Sequence, residues 1–260
     1  MQEKNALKTL KRRSVLAVPS LFTVGNMACG FLSILAAMHG NFYRAGWFIF
    51  FAMLLDGVDG RIARMLNAET EFGVEMDSLA DIISFCAAPA FLMYFMVLSK
   101  YAFVGMAIAF VFLLCGALRL ARFNAMAHAG TGSKKHFSGL PVPAAAGILA
   151  AFAVSYSIFM ESGGGQNMPY VNAVLPHIYN LMAFIVVGLG VLMVSNIPYA
   201  AFKGKSEERK KMRVSFIILA AFLVYLLIRY PQNVVFIVFS LYVLAGIVAV
   251  FYRAFKNMKL

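Results

Sequence analysis

All four aspartates of the chain, Asp56, Asp59, Asp77 and Asp81, fall within 26 residues of a sequence that is 62% hydrophobic. Asp56 and Asp59 are spaced i,i+3, and Asp77 and Asp81 i,i+4, so each pair lies on one face of a helix. Two helices that appose those faces gather four carboxylates around one point. Mutual repulsion and desolvation oppose such a gathering unless cations occupy it. The pattern therefore predicts a divalent-metal site built by two neighbouring helices.

The elements that must position these acids are membrane helices. Mean hydropathy is +0.80 and only 13% of residues are charged, which excludes an ordinary soluble domain. Crossing a bilayer core takes about 20 apolar residues. Eight such runs are present, at 15–38, 42–66, 75–99, 101–126, 140–160, 176–199, 213–230 and 232–253. The fold expected is all-α and polytopic, with a single membrane domain over 15–260 and a basic interfacial segment over 1–14. With eight spans, 20 of the 23 Lys and Arg residues lie on one side, leaving Arg44, Lys100 and Arg229 on the other. That asymmetry predicts both termini in the cytoplasm and places the aspartates at the cytoplasmic face. It also reads the net charge of +12 as a topology and lipid-headgroup signal, with no nucleic-acid partner. Cys29, Cys86 and Cys115 sit inside apolar runs without metal-ligand spacing, and no disulfide is expected. Residues 127–139 and 202–213 read as cytoplasmic connectors, and residues 161–175 as a polar outer loop.

Around the aspartates the sequence runs Asp56-Gly-Val-Asp59-Gly60-Arg-Ile-Ala63-Arg64, then eight residues, then Gly73, Asp77 and Asp81. Every fixed position matches D-x2-D-G-x2-A-R-x8-G-x3-D-x3-D, and the chain resembles the CDP-alcohol phosphotransferase family of integral membrane enzymes. The residues carry a physical reading of their own. Gly60 and Gly73 lack side chains where a nucleotide must approach helix backbone. Ala63 keeps that face shallow, and Arg64, four residues past Gly60, can meet a phosphate. The structural alternative is a salt-bridge network, but four acids against Arg61 and Arg64 leave an excess of negative charge.

The resemblance implies a set of roles. Asp56, Asp59, Asp77 and Asp81 would hold divalent ions, two per active site, and Asp81 would also be the general base on the acceptor hydroxyl. Gly60, Ala63, Arg64, Thr70 and Gly73 would line the CDP moiety of a CDP-diacylglycerol donor; for Thr70, a turn residue between helices is the alternative. Thr23 and Asn26 fit a Pro…Thr…Asn pattern that touches the CDP phosphates in the family, although Ser20 follows Pro19 where Asn is common. Interhelical hydrogen bonding is the alternative for this pair. Mg²⁺, Mn²⁺ and Ca²⁺ all suit oxygen ligands. A homodimer in a prokaryotic cell membrane is implied as well, and Gly147, Gly188, Gly190 and Gly246 would permit close packing within or between subunits.

The signature leaves the acceptor open. Arg119-Leu-Ala-Arg122-Phe-Asn124 and Phe137-Ser-Gly139-Leu-Pro141-Val-Pro143-Ala-Ala-Ala-Gly147 resemble segments of the family's bacterial and archaeal members that accept L-serine. Arginine suits serine's carboxylate, so Arg119 or Arg122 is a candidate serine ligand, with positive-inside anchoring as the alternative. Glycerol 3-phosphate and inositol phosphate are the alternative acceptors. A divalent-cation transporter is the reading from another class, but it gives the glycine–arginine pattern no role.

Overall fold

The computed structural model describes residues 21–66, 70–128, 137–162, 169–195 and 198–199. These residues are helical apart from short connections and one antiparallel bridge, β1 (Phe137–Ser138) with β2 (Pro198–Tyr199). The helices are α1 (Leu21–Met38), α2 (Phe42–Leu66), α3 (Glu71–Asp81), α4 (Ala88–Met96), α5 (Ala102–His128), α6 (Val142–Ser162) and α7 (Pro169–Val194). A π-helical turn, Ile82–Ala87, joins α3 to α4. A 3-10 turn, Leu98–Tyr101, then leads into α5.

Among the described residues five segments are long and apolar enough to cross a bilayer: Leu21–Met38, Phe72–Met96, Leu98–Met126, Val142–Glu161 and His177–Val194. They coincide with the first, third, fourth, fifth and sixth spans expected from the sequence. The second is α2, 25 residues and so about 37 Å long at the α-helical rise. It is less apolar because Asp56, Asp59, Arg61 and Arg64 occupy its second half. The seventh and eighth expected spans, the segment 1–14, the connector 202–213 and residues 129–136 of the connector 127–139 lie outside the described residues. Large apolar side chains cover the outer surface; Phe103 is 75% exposed and Phe184 76%, as a lipid-facing surface requires. The protein is an integral membrane protein.

Two helix starts differ from the sequence reading. The third span begins at Glu71 rather than 75, because the Thr70 hydroxyl accepts from the Gly73 N–H (3.0 Å) and caps α3. The sixth begins at Pro169, inside the expected outer loop 161–175; proline fits a first helical position, where its missing N–H leaves no bond unmade.

The centre of the bundle is α6, whose residues 144–155 are all buried. Its alanines let other backbones approach. At Gly46 of α2, an added Cβ would lie 2.8 Å from the Ala150 carbonyl oxygen and 2.5 Å from Val154 Cγ2. Gly190 packs against Phe112 and Cys115 of α5 within the same chain, whereas Gly188 meets nothing within 4 Å.

Two antiparallel pairings place the chemistry. The α1–α2 hairpin turns through Gly40, at φ 74°, a value glycine adopts without a Cβ clash. Asn41 then caps α2 by accepting from the Arg44 N–H (3.0 Å), and the Ser33 hydroxyl donates to the Ala45 carbonyl (2.9 Å). This register carries Thr23 alongside Asp59. In the second pairing, Gly116 of α5 abuts Cys86 of the π turn, and the Asn124 amide donates to the Ser78 hydroxyl of α3 (2.8 Å). From Cys86 to Ser78 is eight residues back along the chain, and from Gly116 to Asn124 eight forward, so α5 keeps register with α3 through the π turn.

Candidate active site

Asp56 and Asp59 come from the second half of α2, and Asp77 and Asp81 from α3. The structure brings the first three together, each offering a carboxylate oxygen, with all three oxygens within 4.8 Å of one another. Oxygens sharing one hard divalent cation at 2.0–2.6 Å stand about 3–5 Å apart, so this separation fits a metal centre. Asp59 is the most buried, at 4% exposure, and the Thr23 hydroxyl donates to its Oδ2 (3.1 Å). One oxygen of Asp77, Oδ1, is buried without a hydrogen-bond partner. A buried carboxylate oxygen left in that state is costly, and a cation is the partner this oxygen-only donor set suits. The described residues thus fit a divalent metal.

Asp81 stands one turn further along α3 from Asp77, outside that group of three. The fully buried Asn26 holds it, with Nδ2 3.5 Å from Asp81 Oδ1. The Ser84 hydroxyl fixes α1 at that point by donating to the Asn26 carbonyl (2.9 Å). Thr23 and Asn26 thus each make an interhelical contact to one aspartate. Asn26 Oδ1, buried without a hydrogen-bond partner, leaves an acceptor for a further group.

Thr70 and Gly73 pair with each other in the α3 cap, where a Cβ on Gly73 would lie 3.0 Å from the Thr70 hydroxyl. Gly60, Ala63 and Arg64 lie in the last two turns of α2, beyond Asp59. The candidate serine ligands separate. Arg119 is partly buried and Arg122 exposed. Arg119 lies three residues past Gly116, which abuts Cys86 of the π turn, so it shares the face of α5 that packs on that turn. Cys29, Cys86 and Cys115 are free thiols.

Three contributors escaped the sequence reading: Ser84, Ser78 and the π turn. For the serines a signal was present, because a hydroxyl inside an apolar span needs a partner within the protein.

A profile of the CDP-alcohol phosphatidyltransferase family matches residues 16–178. The chain is 36% identical over 230 residues, 88% of its length and 89% of the relative's, to a CDP-diacylglycerol–serine O-phosphatidyltransferase of Helicobacter pylori. It is 34% identical over 191 residues (74% and 94%) to the enzyme of that name from Bacillus subtilis. An archaetidylserine synthase of Methanothermobacter thermautotrophicus is 35% identical over 196 residues (75% and 74%).

Proposed function

Because the chain belongs to the CDP-alcohol phosphatidyltransferase family, we propose that it transfers the phosphatidyl group of CDP-diacylglycerol to the hydroxyl of L-serine, releasing CMP. The observation that carries this reading is the convergence of Asp56, Asp59 and Asp77 within 4.8 Å, with Asp81 one turn away. Relatives whose names specify serine as acceptor support the choice of alcohol.

Asp56, Asp59 and Asp77 would hold divalent cations, two per site with Asp81 contributing, and Mg²⁺ or Mn²⁺ is favoured over Ca²⁺. Held by these carboxylates, such ions would supply positive charge against the diphosphate and the departing CMP. The chain's own residues do the rest. Thr23 orients Asp59, and Asn26 orients Asp81. Gly60, Ala63, Arg64 and Gly73 form the nucleotide side, where Arg64 supplies a cation for phosphate, while Thr70 shapes the entry of α3. Asp81 takes the proton of the serine hydroxyl as its oxygen bonds to the phosphorus carrying diacylglycerol. The bond from that phosphorus to the CMP oxygen breaks, and CMP leaves with the electron pair. No side chain serves as covalent nucleophile, so no phosphatidyl-enzyme forms. The site faces the cytoplasm of a prokaryotic cell, and the working unit is a homodimer.

The test is CMP release by purified protein with CDP-diacylglycerol and a panel of alcohols: serine, glycerol 3-phosphate, inositol phosphate. Turnover is expected with serine alone and only with a divalent ion. Preference for a phosphorylated alcohol would overturn the acceptor, and metal uptake by sealed vesicles without lipid donor would favour a transporter.

Arg119, partly buried and three residues past Gly116 at the π turn, would receive serine's carboxylate. Losing a charge-assisted hydrogen bond of about 1.5–3 kcal/mol is a change of about ten- to a hundredfold. Arg119→Ala is expected to raise the serine KM by that factor with the CDP-diacylglycerol KM unchanged. Arg122→Ala, at an exposed position, is expected to leave both unchanged. Equal effects of the two substitutions on serine KM would remove Arg119 from this role.

A further inference from the structure

The π turn Ile82–Ala87 begins at the residue after Asp81, and α1 and α5 grip it from two sides. On the α1 side, a Cβ added to Gly30 would collide with the Ser84 hydroxyl and lie 2.7 Å from Ser84 Cα. Backbone therefore rests on backbone there, and the Ser84 hydroxyl adds its bond to the Asn26 carbonyl (2.9 Å). On the α5 side, a Cβ on Gly116 would lie 2.5 Å from Cys86 Sγ and 3.2 Å from Cys86 Cβ. Ser84, Phe85 and Cys86 are buried.

A π turn is one residue wider than an α turn. One residue of an α-helix is about 100° of rotation, so the turn sets the azimuth of everything before it relative to everything after. Before it stand Asp77 and Asp81; after it stands α4, whose Ala88, Leu92, Met93 and Met96 are buried in the core. A continuous α-helix could not keep both faces in these directions. Single-turn π insertions inside α-helices recur at functional sites.

We infer that the π turn, clamped between Gly30 and Gly116, is a positioning element that rotates Asp77 and Asp81 into register with Asp56 and Asp59. It acts through the carboxylates and touches no substrate. The inference rests on the reading of the aspartates as a metal centre, and the experiment separates the two. Mn²⁺ binding to the purified, detergent-solubilised full chain is measured by electron paramagnetic resonance, alongside thermal stability without metal. Gly30→Ala forces the π backbone to move, and its Mn²⁺ affinity is expected to fall at least about tenfold, the scale seen when groups supporting metal ligands are disturbed. Gly46→Ala is the control: an equally tight contact, 2.5 Å from Val154 Cγ2 and 2.8 Å from the Ala150 carbonyl, at a helix crossing away from the turn. It is expected to lower stability and leave Mn²⁺ affinity unchanged.

If Gly30→Ala does not fold, the pair at the other clamp decides. Gly116→Ala is expected to weaken Mn²⁺ binding, and Cys86→Ala added to it, which removes the opposing sulfur, is expected to restore it. Wild-type affinity in Gly30→Ala, or no rescue by Cys86→Ala, would overturn the positioning role. Absence of Mn²⁺ binding by the unsubstituted chain would instead overturn the metal centre itself.

Discussion

Replacing Asp81 by asparagine is expected to lower kcat about a hundred- to ten-thousandfold, the range that a positioned general base contributes, while the protein still binds Mn²⁺ at the group formed by Asp56, Asp59 and Asp77. The two effects separate because the structure separates the residues. Asp56, Asp59 and Asp77 form the group within 4.8 Å, and Asp81 stands apart, held by Asn26 at 3.5 Å. Asparagine has the shape of aspartate, and its carbonyl can keep the contact with the Asn26 amide. What it cannot do is accept the serine proton. CMP release under saturating serine gives kcat, and electron paramagnetic resonance gives the bound Mn²⁺. A variant that turns over like the parent would show that the proton goes elsewhere. One that binds no Mn²⁺ would show that Asp81 is indispensable to the metal centre.

How far this site could be read from the sequence depends on the range of the interactions involved. The pairing of Asp56 with Asp59 and of Asp77 with Asp81 on helix faces was legible because it rests on the helical period alone. So was the identity of most spans, since apolar runs near bilayer length have few other fates. The division of the four acids into three and one was not legible. It depends on how α2 and α3 meet, and α1 governs that meeting through Thr23 and Asn26. The register of α1 against α2 follows from Gly40 and Asn41, which look like any hairpin until Ser33 is seen on the Ala45 carbonyl.

The π turn lay furthest from view. Ile82, Ile83 and Phe85 read as ordinary apolar helix, and the extra residue becomes apparent only when Gly30 and Gly116 fix both sides of it. Thr70 shows the opposite case. A cap is a local device with a sequence signature, Thr followed by a helix, and Thr70 forms that cap on α3. Arg119 and Arg122 are alike in sequence and unlike in place, a distinction only the packing of α5 on the π turn provides.

Asp59→Asn is expected to have the largest effect of any single substitution, abolishing both Mn²⁺ binding and transfer. Asp59 is the innermost of the three clustered acids, 4% exposed, and its position leaves little room for water to replace a lost ligand oxygen. Asparagine keeps one oxygen but loses the negative charge, and a buried neutral amide cannot offset the desolvation of a divalent ion. A bound cation supplies several kcal/mol of transition-state stabilisation in such reactions, and each 1.36 kcal/mol is tenfold in rate, so the loss is at least about a thousandfold. Thr23→Val provides the graded comparison. It removes the hydroxyl that donates to Asp59 Oδ2 at 3.1 Å and leaves the carboxylate in place. Its Mn²⁺ affinity is expected to fall about tenfold, at the lower end for a group supporting a ligand, and raised Mn²⁺ concentration should restore most of its turnover. The same addition should do nothing for Asp59→Asn. Recovery of both variants by excess Mn²⁺ would mean that Asp59 only supports the ion from a distance. Insensitivity of both to Mn²⁺ binding would move the metal centre away from α2.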